Sequence, residues 1–329
     1  MTPFYDARGN IYAVTTPESL RDQGVEVPAT AADAAQTYAA WASAAIEALC
    51  SWAPGSQPSG SKSHRSDGLL VGPFQAAPPY DLLIVNTDGT LAERSGNGLT
   101  IFSQYLTDQG LMPDGGCPLR VHHDKVDVPS PGQITVVPAT VEEVRGFWLD
   151  LGQPGFGPDA VSAEGAETLW FNEREVNHVQ RLSRLNPAWQ RSQFVRVGNP
   201  HCVTLVESAD ALPSNRQMSD SPLAEGLTSV AFAQPTGAGE PCPAGINLQW
   251  ALRESDSRII ARVFERGEGP TASSGTSASA VACAAWRVGW VKSGAVQVVM
   301  PGGTAPILLE EQGGELRRVS LFGTARLMD

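Results

Sequence analysis

Positive charge is scarce in this chain. Its 329 residues hold 23 Lys and Arg against 35 Asp and Glu, a formal net charge of -12. Such a field repels polyanions, which argues against a nucleic-acid or anionic-membrane surface. Cysteine is sparse as well: Cys50, Cys117, Cys202, Cys242 and Cys283 are odd in number and form no CxxC pair. That excludes the usual signatures of a disulfide framework and of a zinc site. No run of about 18 uninterrupted apolar residues occurs, and residues 1–30 lack the basic start and apolar stretch of a signal peptide. The expected location is the cytoplasm, and the expected partner is a small molecule.

What is present suits a globular fold. Hydrophobic residues make up 42% and charged residues 18%, and the length allows two domains, each with its own core. Short segments enriched in β-branched residues or alternating in polarity predict strands over 81–86, 133–137, 193–197, 202–206, 246–252, 258–264 and 295–300. Helices are fewer: 30–52, Ala-rich with Thr30 as N-cap; 98–109, closed by Gly110; and 276–288, closed by Gly289. Pro, Gly and Ser mark solvated insertions over 53–68, 213–222 and 234–245. Strands that follow one another without intervening helices predict an α+β class with a mixed or antiparallel sheet. Cys283 reads as a small buried apolar residue. Cys202 adjoins His201 on a strand, so their side chains point to opposite faces.

Two turns stand out, Ser95-Gly96-Asn97-Gly98 and Ser274-Gly275-Thr276-Ser277, each opening a helix. A helix N-terminus carries unpaired N–H groups and a partial positive charge, so a Gly-rich turn there can approach a carboxylate or phosphate closely. Two such turns could grip one anionic substrate from both sides. Taken singly, each serine is an ordinary N-cap. Likewise Asn10, Asn86 and Asn247 read as turn or strand-end residues, His201 as a structural histidine, and Glu265 with Arg266 as a surface ion pair.

Their neighbours change that reading. In order stand Ala7-Arg8-Gly9-Asn10, then Asn86-Thr87-Asp88-Gly89-Thr90-Leu91-Ala92-Glu93-Arg94 before the first turn, then Gly198-Asn199-Pro200-His201. Phe264-Glu265-Arg266-Gly267-Glu268-Gly269-Pro270-Thr271-Ala272-Ser273 precedes the second turn, and Leu321 to Ala325 (LFGTA) closes the chain. This series resembles the motifs of the diaminopimelate epimerase family over essentially the whole length. The resemblance implies an isomerase of the lysine-biosynthesis type that works on an amino acid without pyridoxal phosphate, metal or nucleotide. It implies two pseudo-symmetric domains, 1–130 with 316–329 and 131–315, and an active site in the cleft between them. Dimerisation is common in that family, so a homodimer stays open.

By motif position, Ser95 and Ser274 take the places of the family's two catalytic thiols, which remove and return the α-proton on opposite faces. Gly96, Asn97, Gly98, Gly275, Thr276 and Ser277 take those of the amide cradle for the α-carboxylate. Asn10, Asn86, Asn199, Asn247 and Arg266 take those of the substrate-binding side chains, Arg266 as the bidentate partner of a distal carboxylate. Glu265 and His201 are the polar neighbours that tune the acid/base pair.

The serines are the departure. A thiol titrates near pH 8.5 and lower at a helix N-terminus, whereas a serine hydroxyl is a much weaker acid that needs an adjacent base. Three readings follow. The chain is an epimerase whose thiols were exchanged by engineering, or a natural relative that shifts a double bond or dehydrates a small acid with His201 or Glu265 as base. The third is a catalytically silent amino-acid-binding homologue. Thr87, the 53–68 insertion and Leu99-Thr100-Ile101 after the first turn favour natural divergence.

Overall fold

The computed structural model of the protein describes residues 2–126 and 129–328. The chain separates into two compact units, Met1–Leu149 with Gly323–Asp329, and Asp150–Phe322. The expected boundaries at 130 and 316 need correction, and strand pairing gives the reason. Gly132–Val141 pairs antiparallel with Cys117–Val121, Ile134 opposite Leu119, and so stays in the first unit. Glu315–Gly323 pairs with Gly303–Gln312, Leu321 opposite Ile307, which keeps residues 316–322 in the second.

In the first unit the strands Phe4–Ala7 and Asn10–Thr15 form a hairpin through Arg8 and Gly9, both at positive φ. Gly68–Val71 then pairs parallel, Tyr80–Asn86 antiparallel and Cys117–Val121 parallel, followed by the antiparallel Gly132–Val141 and Val144–Asp150. The apolar run Leu82-Leu83-Ile84-Val85 lacks alternation because both faces are covered. Leu82 and Ile84 pack with Leu99, Phe102 and Leu106 of the Gly96–Asp108 helix. Leu83 and Val85 pack with Ala34, Ile46 and Leu49 on the opposite face.

The second unit repeats the pattern. Ser192–Val197 and Asn199–Val206 form a hairpin through Gly198, at φ 67°. Asn247–Ser255 pairs parallel, Arg258–Glu265 antiparallel, Gly294–Met300 parallel, and Gly303–Gln312 and Glu315–Gly323 antiparallel. The Gly275–Arg287 helix is the core of this unit. Ala278 and Ala280 through Ala285 are fully buried against Val203, Val263, Val298 and Ile307, and the small side chains let the helix lie close to the sheet. Cys283 is among them. Cys202 lies in the cluster on the other face of the sheet, with Phe194, Leu248 and Trp250.

The architecture is α+β with mixed sheets. The expected helix over 30–52 is broken: Ala31–Gln36, a 3-10 turn Tyr38–Ala40 and Ala42–Cys50 replace it, with Thr30 capping the first piece. Two side chains capture carbonyls in the gap. Thr37 Oγ1 donates to Asp33 O at 2.8 Å, and the buried Trp41 Nε1 donates to Ala34 O at 3.0 Å, so local bonds compete with helix continuation. The solvated reading of the later insertions also fails in part. The 213–222 segment contains the Asn215–Ser219 helix with buried Met218, and Pro241 and Cys242 are buried within 234–245. No helix among the described residues is long and apolar enough to cross a membrane.

Candidate active site

Ser95 is the N-cap of the Gly96–Asp108 helix. It sits in extended conformation at φ -146°, and its Oγ accepts from Gly98 N at 3.0 Å. The serine is half-buried, and the Tyr12 hydroxyl lies 3.3 Å from the same Oγ. Position 98 is tight, since a Cβ there would meet Ser95 Cβ and Oγ at 3.2 Å. Asn97 Nδ2 donates to Asn10 Oδ1 at 2.6 Å, tying the turn to the start of the Asn10–Thr15 strand. Asn86 does not join them. Its Nδ2 donates to Thr90 Oγ1 at 3.0 Å and its backbone N to Thr90 O at 2.8 Å. The amide thus closes the turn that leads back along the sheet, which is the ordinary role of a strand-end asparagine.

The second turn is assembled in the same way. Ser274 caps the Gly275–Arg287 helix at φ -154°, and its Oγ accepts from Ser277 N at 3.4 Å. A Cβ on Gly275 would fall 2.4 Å from Leu321 Cδ2, so glycine lets the turn lie against the Glu315–Gly323 strand without moving that leucine. Thr276 is half-buried. Glu265 is the half-buried last residue of its strand, and the Ser274 hydroxyl acts on its titration. Burial of this carboxyl raises its pKa above the ordinary value and the neighbouring Glu268 adds to the rise, while the Ser274 bond opposes it.

Ser277 carries a side chain where the first turn has glycine, and the sequence compensates for it. Gln249 Nε2 donates to Ser277 Oγ and to His201 Nδ1, both at 3.0 Å, in a fully buried chain of three side chains. His201 therefore departs from its expected place beside the reacting groups. Its imidazole is wholly buried and reaches the turn only through Gln249 and Ser277. Burial depresses it to about 3, with Arg266 and Arg196 adding to the depression, so it is neutral near pH 7. Through Gln249 and Ser277 it supports the turn.

Asn247 is buried, and its Oδ1 accepts from Arg266 N at 2.9 Å, which fixes the backbone entering the second turn. Arg266 is exposed and donates Nη1 to Ala244 O at 2.9 Å. A Cβ at Gly245 would come within 2.8 Å of Arg266 Cδ, so glycine there makes room for the arginine. Asn199 is exposed at the first position of its strand. The structure thus joins Asn10 to Asn97 and Ser95 in the first unit. In the second it joins Ser274 to Glu265, and His201 to Ser277. Tyr12 and Gln249 escaped the sequence reading. Gln249 had a signal, since the one amide inside the run Leu248 to Leu252 must find partners when buried. No group of three or more His, Cys, Asp or Glu able to hold a metal occurs among the described residues.

Comparison with known proteins accords with this arrangement. The solved phenazine biosynthesis protein of the PhzF family from Bacillus anthracis superposes with a TM-score of 0.56 at 10% identity, covering 100% of this chain and 96% of that one. A hydroxyproline epimerase from Agrobacterium vitis gives 0.52 at 13% identity, covering 100% and 90%. At that identity these likenesses define the fold class, an α+β fold of epimerase type. Residues 193–328 match the family model for diaminopimelate epimerase. Diaminopimelate epimerase 2 of Nostoc sp. (strain PCC 7120) is 31% identical over 247 residues, 75% of each chain. The chain belongs to the diaminopimelate epimerase family, with serine at both positions where the family motifs carry cysteine.

Proposed function

We propose that this member of the family is a cofactor-independent isomerase that removes and returns a proton at the α-carbon of an amino acid. The observation that carries the reading is the Ser274–Glu265 pair at a helix N-terminus. A hydroxyl that interacts with a half-buried carboxylate of raised basicity has the base that a serine needs to take up a proton. In this reading the α C–H bond breaks, its electron pair stays on the carbon and delocalises into the carboxylate, and the proton passes through Ser274 to Glu265. By motif position, Ser95 holds the place of the family residue that returns a proton. The N–H groups opening the Gly275–Arg287 helix receive the α-carboxylate and stabilise the charge that develops on it. Arg266 contributes a cation for a distal carboxylate, which favours a substrate with two acidic ends.

The test is incubation with diaminopimelate and a panel of other amino acids in deuterium oxide, followed by proton NMR. Loss of the α-proton signal is expected, with the faster stereoisomer identifying the face on which Ser274 works. Binding without any exchange across the panel would overturn the reading in favour of a silent binding protein.

A further inference from the structure

The two units place different residues behind their serines, and one of them has no assigned role. Tyr12 is the third residue of Asn10–Thr15 and lies opposite Gly68, the first residue of the parallel neighbour. His201 is the third residue of Asn199–Val206 and lies opposite Asn247, again the first residue of the parallel neighbour. The positions are topologically equivalent, yet His201 bonds Gln249 whereas Tyr12 reaches the turn serine itself.

We propose that Tyr12 is a positioning residue that makes the first turn the proton-donating one, by filling the second lone pair of Ser95 Oγ so that the serine's own O–H is left for a ligand. A hydroxyl oxygen has two acceptor sites and one proton. Gly98 N–H occupies one site at 3.0 Å. The phenol at 3.3 Å takes the other, donating because it is the stronger acid of the two hydroxyls. Among the described residues no acceptor takes the Ser95 proton. The ring is 8% exposed, and a Cβ at Gly68 would come within 2.8 Å of Tyr12 Cε1, so the phenol is held in place. Burial, reinforced by Asp67, raises the pKa of the phenol and keeps its proton on oxygen. In the second unit the corresponding serine has no phenol beside it, and its hydroxyl interacts instead with Glu265, whose pKa it lowers. One turn therefore receives a proton and the other gives one. When Ser95 transfers its proton to the carbanion, a C–H bond forms, the O–H bond breaks, and the alkoxide is held by two donors until water reprotonates it.

The direction of proton flow rests on the proposed function, whereas the orientation of Ser95 does not, and the experiment reads the orientation. Ser95→Cys is prepared alone and with Tyr12→Phe, and alkylation of the introduced thiol by iodoacetamide is followed against pH by peptide mass spectrometry. The five native cysteines are buried and do not compete. A phenolic donor stabilises the thiolate, so its removal should move the midpoint of the rate profile up by about one pH unit. Coincident midpoints, or a downward move, would overturn the proposal. Should the Tyr12→Phe chain fail to fold, 3-fluorotyrosine at position 12 keeps the ring and strengthens the donor, and the midpoint must then fall. A profile that moves as expected while no amino acid exchanges its α-proton supports the positioning role and rejects the functional reading.

Discussion

In the first unit the turn serine has the Gly98 amide and the Tyr12 phenol as partners; in the second it receives the Ser277 amide, and its hydroxyl lowers the pKa of Glu265. The sheets behind the two turns run through the same sequence of antiparallel and parallel pairings, and both helices start from an extended N-cap serine. The scaffold repeats while the chemistry behind it does not. Leu70 and Gly98 meet in the first unit where Gln249 and Ser277 meet in the second. A repeated backbone therefore fixes where a hydroxyl stands, and the residues on the neighbouring strands decide whether it accepts or donates.

The strongest way to break the comparison is to give both turns the same acid. Ser95→Cys with Ser274→Cys should raise α-proton exchange on the order of 10³-fold, because thiols titrate far closer to neutral pH than alcohols. Unchanged exchange with an amino acid that binds would show a pocket rebuilt for another substrate. Next, Glu265→Gln leaves Ser274 without a base, and exchange should fall by about 10²-fold. Only the deprotonated carboxylate works as base, so the parent's exchange should rise with pH through an inflection above the ordinary glutamate value. The variant should lack that limb in a pH series.

A third change rebuilds the second turn on the plan of the first. Gln249→Leu strips Ser277 Oγ and His201 Nδ1 of their donor and should cost about 2 kcal/mol in denaturant unfolding. Adding Ser277→Gly should recover about 1 kcal/mol, a coupling that a double-mutant cycle measures directly. Simple additivity would show that the two residues do not act together. A separate test concerns His201, whose pKa in the folded state lies near 3 against 6.5 when exposed. Between those values the unfolded chain binds the extra proton. Stability should therefore be full above pH 6.5 and decline as pH falls, by up to about 1.4 kcal/mol per pH unit. His201→Asn should remove that share of the slope in urea titrations at stepped pH.

Much of this was legible in the residues. Local patterns placed the strands 80–86, 192–197 and 258–265 and both serine-capped helices within one to three residues of their ends, since a Gly-rich turn, an N-cap and a closing glycine are local signals. Short segments such as Phe4–Ala7 and Gly68–Val71 went unread, because only a paired neighbour makes four residues a strand. The helix over 30–52 looked continuous because Ala-rich sequence favours helix, and the Trp41 bond to Ala34 that breaks it is a property of packing. At the site, the serines, Glu265 and Arg266 were found from motif order. Tyr12 and Gln249 were not, because each matters through a residue more than 25 positions away.

The amino-acid sequence alone settled the family, the α+β class and the pair of hydroxyl-bearing turns, since these rest on local spacing and on residues that recur in a fixed order. Tertiary structure alone decided that His201 is buried behind Gln249 and Ser277, and that Ser95 and Ser274 have unlike partners. Those outcomes depend on burial and on hydrogen bonds between strands far apart in the chain, where desolvation and a shared donor set protonation and orientation together.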